Sequence, residues 1–148
     1  METPIRDVLA RKGSTVHTVG LDASVFEAIT QMEEVRVGSL VVVDGDEVAG
    51  MLTERDYLRR VALQGRSSRT TAVREIMSAP VVCASLDESV QYALAVMTEK
   101  RCRHLPVVGE RGGLAGLVSI GDLVKQIVRE QKGEIRFLHD YISGKYPG

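Results

Sequence analysis

The chain contains two copies of one pattern. Gly50-Met51-Leu52-Thr53-Glu54-Arg55-Asp56 and Gly116-Leu117-Val118-Ser119-Ile120-Gly121-Asp122 both read glycine, two apolar residues, a hydroxyl residue, two variable residues and aspartate. Each follows an apolar run, Leu40 to Val43 or Leu105 to Val108, and opens an apolar-periodic segment. At a shift of 65 positions, Leu21-Asp22 falls on Leu86-Asp87, Ser24-Val25 on Ser89-Val90, Ala28 on Ala93 and Met32 on Met97. After the next turn the shift becomes 66, because Gly109 to Ala115 is one residue longer than Asp44 to Ala49. A repeat on this scale points to two copies of one structural unit sharing a core.

Each half is about 60 residues, which is marginal for an independent core. The expected solution is therefore a pseudo-twofold pair with the two sheets packed together. Hydrophobic residues make up 44% of the 148, enough for a core, and with aromatics at 4% and no Trp that core is aliphatic. The net charge of −1 argues against a general nucleic-acid surface, which needs a basic excess. Of the 19 cations, 14 are Arg and 5 are Lys. That bias suits planar recognition of phosphate or carboxylate, and equally reflects codon bias.

Cys83 and Cys102 sit in apolar contexts with no CxxC and no histidine at ligand spacing. Reduced, buried thiols in a cytoplasmic protein are expected, rather than a disulfide or metal framework. Residues Met1 to Asp7 lack a signal-peptide core, and no apolar run is long enough to span a bilayer.

Both halves read alike, giving an α+β (α/β) expectation of two βαββα repeats. A helical lead-in (Ile5 to Arg11; Thr71 to Met77) precedes a short strand (Val16 to Val19; Val81 to Ala84). Ser24 and Ser89 then cap a helix. Its apolar stripe is Val25, Ala28, Ile29 and Met32, or Val90, Ala93, Leu94 and Met97. A hairpin follows: Leu40 to Val43 with Val48 to Leu52, turning at Asp44-Gly45-Asp46, and His104 to Val108 with Leu114 to Val118. A helix closes each half (Glu54 to Leu63; Ile120 to Glu130). The repeats are set at 5–65 and 73–132, with a polar linker at 66–72 and a tail at 133–148. In that tail Glu134 to Ile142 is expected as a separate amphipathic helix with Ile135, Leu138 and Ile142 on one face. Tyr141 and Tyr146 are expected to leave the end sticky, and Ser143 to Gly148 to fray.

The duplicated Gly-apolar-apolar-[Ser/Thr]-x-x-Asp motif resembles the hallmark of the CBS domain, the small module named after cystathionine β-synthase. The resemblance covers Ile5 to Gln131. It looks like a stand-alone pair, a Bateman module, of the short type found in bacteria and plant organelles. Shared features include Gly38-Ser39-Leu40-Val41-Val42, Thr53-Glu54-Arg55-Asp56-Tyr57 and Gly65-Arg66-Ser67-Ser68. It implies a non-catalytic sensor that binds adenosine nucleotides between the repeats, AMP foremost, with ADP, ATP, NAD(H) or S-adenosylmethionine behind it. It also implies a homodimer and a regulated partner protein of unknown identity, with no nucleic-acid or membrane partner. The other reading is a structural interaction domain that takes no ligand.

The candidate site follows from the motif chemistry. Thr53 and Ser119 stand where a strand becomes a helix, whose N-terminus offers unpaired amides and partial positive charge to a phosphate. Asp56 and Asp122, one turn on, can each accept two hydrogen bonds from a ribose 2′,3′-diol. Gly50 and Gly116 allow close approach of ligand or backbone. The same spacing also makes a capping box, so caps alone explain the motifs equally well at this level. Arg103-His104 aligns with Gly38-Ser39, so the halves differ in charge. By the resemblance, basic residues before this strand, which continues through Pro106, contact phosphate, and Val16, His17 and Thr18 or Val81 and Val82 line an adenine pocket. Arg55 either reaches a phosphate or is exposed on its helix. Arg66 and Arg69 fit a charged linker better than a phosphate site.

Overall fold

A computed structural model describes residues 2–79 and 81–142, with side chains up to residue 133. Ser143 to Gly148, including Tyr146, and the side chains of Ile135, Leu138, Tyr141 and Ile142 lie outside what is described.

Two three-stranded sheets form, one per half. In the first, β1 (Thr18–Gly20) lies parallel to β2 (Ser39–Asp44), which pairs antiparallel with β3 (Glu47–Thr53). The second repeats this with β4 (Ala84–Ser85), β5 (His104–Val108) and β6 (Leu114–Ser119). The first strands are therefore shorter and later than expected, since Val16, His17 and Val81 to Cys83 precede the paired residues. Both hairpins slip register at matching places, after Val42 and after Val107, leaving Ala49 and Ala115 as the extra residues.

Helices α2 (Val25–Val35) and α5 (Val90–Lys100) are capped as the sequence suggests. Ser24 Oγ accepts from the Glu27 amide at 3.1 Å and Ser89 Oγ from the Tyr92 amide at 3.0 Å. Val25, Ala28 and Met32 enter the first core, and Val90, Ala93 and Met97 enter the second. These stripes are spent inside the two cores.

Two helices depart from expectation. α3 (Glu54–Tyr57) is one turn long and runs into a π-helical turn over Leu58–Ala62. α6 runs unbroken over Ile120–Ile142, so the tail continues the closing helix rather than forming its own. Gly133 does not end it; a single interior glycine costs only about 1 kcal/mol.

The lead-in helices, α1 (Ile5–Lys12) and α4 (Val73–Ile76), were read with the halves they precede, but each packs in the other core. Ile5, Val8 and Leu9 are buried with Ala84, Leu105 and Val118 of the second half. Val73 and Ile76 are buried with Val25, Leu40 and Leu52 of the first. Backbone bonds fix both in the same way. Ile5 N donates to Glu88 O at 2.8 Å and Arg6 N to Leu86 O at 3.0 Å; Val73 N donates to Ala23 O at 2.9 Å and Arg74 N to Leu21 O at 3.0 Å. Arg6 then pairs with Asp87, and Arg74 with Asp22. So the second core is closed by a segment from the far end of the chain.

The exchange explains the motif glycines. A Cβ on Gly50 would lie 2.7 Å from Ser78 O, and one on Gly116 would lie 2.8 Å from Leu9 Cδ1. The close approach they permit is by the exchanged leader segments, not by a ligand. Leu40, Val42 and Leu52 face the first core, and Val41 and Met51 on the opposite face are buried too, so this sheet is covered on both sides.

Candidate nucleotide site

Strand register brings the candidate residues to one end of each sheet. Ser39 pairs with Thr53, and His104 with Ser119. Because β1 runs parallel to β2, Val16 and His17 enter at the same end as Gly38-Ser39, with Thr18 opposite Val41. Val81 and Val82 likewise enter beside Arg103-His104.

Both motifs close as full capping boxes. The Asp56 amide donates to Thr53 Oγ1 at 3.1 Å, and the Thr53 amide donates to Asp56 Oδ2 at 2.9 Å. Ser119 and Asp122 repeat this with 3.1 Å and 2.9 Å. The preceding strand takes another amide: Glu54 N donates to Gly38 O and Ile120 N to Arg103 O, both at 3.0 Å. The expected row of open amides thus shrinks. In the first three helical positions only the amides of Arg55 and Gly121 have no acceptor among the described residues. Each aspartate keeps Oδ1 without a hydrogen-bond partner among them.

The halves then diverge. Asp122 Oδ2 also accepts from Lys12 Nζ at 2.6 Å, and Lys12 Nζ donates to Leu117 O at 2.8 Å. Asp56 has no such cation among the described residues. Burial pushes the Asp122 carboxyl up, but hydrogen bonds from Lys12 and Ser119 together with the Lys12 charge outweigh it and hold the pKa below the ordinary value. Beside it, desolvation lowers the pKa of His104; Asp122 opposes this, and Lys12 and Arg103 add to it. His104 is therefore a neutral imidazole near pH 7. Arg103 is exposed and makes no ion pair among the described residues. At the matching place in the first half, the Glu54 carboxylate lies over Gly38, 3.7 Å from where its Cβ would be. One sheet end thus carries a free guanidinium, the other a carboxylate.

Pro106 adds a backbone difference. In the first half, Val41 N donates to His17 O at 3.2 Å. Pro106 aligns with Val41 and has no N–H, so Val82, the counterpart of His17, keeps its carbonyl free of that bond. This is why β4 begins one residue later than β1 does in the alignment. The freed edge at Val81 to Cys83 offers backbone groups to a base.

Other candidates are engaged elsewhere. Arg66 pairs with Glu75 at 2.7 Å, and Arg69 stacks 3.8 Å above the Phe26 ring. Arg55 is exposed on α3. Cys83 and Cys102 are free thiols whose pKa values burial pushes up, which suits inert packing. A pocket of about 270 Å³ is lined by Glu2, Pro4, Asp87, Glu88, Ser89 and Tyr92 at the α1 docking edge. Its acidic rim suits a phosphate poorly. Among the described residues no cluster of His, Cys, Asp and Glu could hold a metal, and no helix is long and apolar enough to cross a membrane.

Lys12 is the residue that sequence reasoning missed. It lies outside both motifs and reaches Asp122 only because α1 crosses to the second half. Asp22 and Asp87 each pair with a leader arginine, but because the two acids are aligned the sequence does not say which arginine each one takes.

Residues 2–63 and 73–129 match the family model for the CBS domain. The mitochondrial CBS domain-containing protein CBSX3 of Arabidopsis thaliana is 40% identical over 153 aligned positions, spanning 97% of this chain and 74% of that protein. The CBS domain-containing protein YhcV of Bacillus subtilis is 36% identical, over 80% of this chain and 84% of its own length. A solved Burkholderia ambifaria structure, a putative signal-transduction protein with CBS domains, superposes with a TM-score of 0.79 at 47% identity, covering 87% of this chain and 96% of that one.

Proposed function

This chain belongs to the CBS-domain family, as a single tandem pair, and from that premise we propose that it is a non-catalytic sensor of adenosine nucleotides whose main site lies at the second sheet end. CBS pairs are regulatory modules, and CBS domains generally bind adenosine ligands. The observation that carries the reading is the grouping of Asp122, Ser119, Arg103 and His104 at one sheet end, next to the backbone edge freed by Pro106. Asp122 holds the ribose, and Arg103 holds phosphate through charge-assisted bonds. Each hydrogen bond to such a charged group contributes roughly 1.5–3 kcal/mol. AMP is the preferred ligand; ADP, ATP, NAD(H) and S-adenosylmethionine share its ribose and base.

We place the protein in the cytoplasm as a homodimer, relaying occupancy to a partner protein. The dimer face is the exposed apolar set Leu58 and Leu63 after α3 with Ile120, Val124 and Val128 along α6. The second reading, an interaction module without ligand, is favoured by one observation: both motif aspartates already serve as caps. A melt with AMP decides between them. At 100 times its dissociation constant a ligand adds about 2.7 kcal/mol of stability. An unshifted melt with every adenosine ligand supports the cap-only reading.

A further inference from the structure

We propose that Lys12 is a built-in competitor for the ribose-binding carboxylate, so that nucleotide binding at the second site displaces it and is reported through the crossover segment 13–17. This rests on Asp122 as the ribose ligand. A cis-diol is held best by both oxygens of one carboxylate. Asp122 Oδ2 accepts from Ser119 N and from Lys12 Nζ, at 2.9 Å and 2.6 Å. The ribose therefore meets a carboxylate that is half used and neutralised.

Lys12 is placed to yield. Ile5, Val8 and Leu9 anchor α1, being 0%, 4% and 6% exposed, so the helix stays docked without the ion pair. The pair itself is partly exposed, with side-chain exposures of 35% for Lys12 and 20% for Asp122, and such pairs contribute little to stability. The first half shows that the fold does not need it. The counterpart of Leu117 is Met51, whose carbonyl accepts from the Ser78 amide at 2.9 Å, and Asp56 closes its box without a cation. Lys12 is thus an addition to one site only.

Its position makes the displacement legible elsewhere. Lys12 ends α1, and Gly13, with φ of 96°, turns the chain toward the first half. Residues 13–17 lead directly into β1, and His17 O just before it accepts from Val41 N. A shift of the last α1 turn is therefore passed covalently to the other sheet.

The test is calorimetry with AMP on wild type, Lys12→Met and Lys12→Gln, with hydrogen exchange followed over residues 10–17. Met keeps the apolar stem, and Gln keeps a donor for Leu117 O, so a folding defect in one leaves the other. The expected result is AMP binding about tenfold tighter in both variants. AMP should also raise exchange at residues 10–17 in wild type and leave it unchanged in the variants. Wild-type binding with unaltered affinity in the variants overturns the competitor and leaves the nucleotide site standing. Weaker binding in the variants makes Lys12 a ligand contact and also overturns it. No nucleotide binding by any of the three proteins removes both proposals together.

Discussion

Leu9 rests against Gly116, close enough that a Cβ on the glycine would lie 2.8 Å from its terminal carbons. This contact joins the first helix to the last strand and seals the second core with a residue from the opposite end of the chain. Its counterpart is Met77 and Ser78 against Gly50. The two differ in what is touched, and that sets the cost of a methyl group. At Gly50 the Cβ meets a backbone oxygen at 2.7 Å, which cannot move without breaking the Met51–Ser78 bridge. At Gly116 it meets the end of a flexible side chain. Gly50→Ala should destabilise by about 3 kcal/mol and Gly116→Ala by about 1, the two ends of the overpacking range. Urea unfolding measures both, and the reverse order would show the leaders seated differently.

Two helices end on strained arginines. Arg36 and Arg101 both hold φ of 57° at the ends of α2 and α5, where glycine is the usual residue. Arg101→Gly should stabilise by about 1 kcal/mol, because the left-handed conformation costs a side chain roughly that much. For a chain of this size that is about 2–4 °C in Tm. A fall in Tm on thermal melting would mean that the Arg101 side chain contributes more than its backbone costs.

His104 sets a pH dependence with a definite sign. Its folded pKa lies below its ordinary value of 6.5, so the unfolded chain takes up the proton first. Its contribution to stability is complete above about pH 6.5 and falls as pH drops through the window beneath. Among the three histidines, NMR titration should find His104 below its ordinary value without ligand and raised when AMP phosphate is present. A free-protein pKa at or above 6.5 contradicts the half-buried, neutral assignment.

The proposed dimer rests on residues that the monomer leaves out. Leu63 is 74% exposed and Val124 is 45% exposed. Leu63→Glu with Val124→Glu should convert a dimer to a monomer by light scattering at micromolar concentration. The melt should barely change, since neither side chain is in a core. A wild-type monomer under those conditions would remove the dimer.

Much of the architecture could be read from period and turn chemistry. The βαββα order, the serine caps, the hairpins and the two motif turns all follow from local patterns that recur at a fixed shift. What escaped is non-local. Nothing in Ile5 to Lys12 says which core it closes, because Ile5, Val8 and Leu9 would fit either. Lys12 lies on that same segment, so its meeting with Asp122 is non-local for the same reason. The late start of β4 was encoded in Pro106, but only pairing with its neighbour gives the missing N–H a consequence. The continuity of α6 through Gly133 reflects a helix that tolerates one poor residue among many good ones. At the site, the aspartates and hydroxyls were found by spacing; that they cap their own helices and leave one amide open appears only with the distances.

Asp122 separates cap from ligand. Asp122→Ala removes a capping partner, which costs about 0.5–2 kcal/mol of stability. It should cost AMP affinity tenfold or more, since the ribose loses its acceptor. A lower melt with unchanged AMP affinity would leave Asp122 as a cap alone.

The most direct measurement is calorimetry of AMP and adenosine on wild type and Arg103→Ala. Wild type should bind AMP more tightly than adenosine, because Arg103 supplies a guanidinium where the first half has Gly38. Arg103→Ala should largely erase that difference while leaving adenosine binding in place. An AMP preference that survives the substitution, or two sites of equal affinity in the wild type, would contradict a phosphate site at the second sheet end.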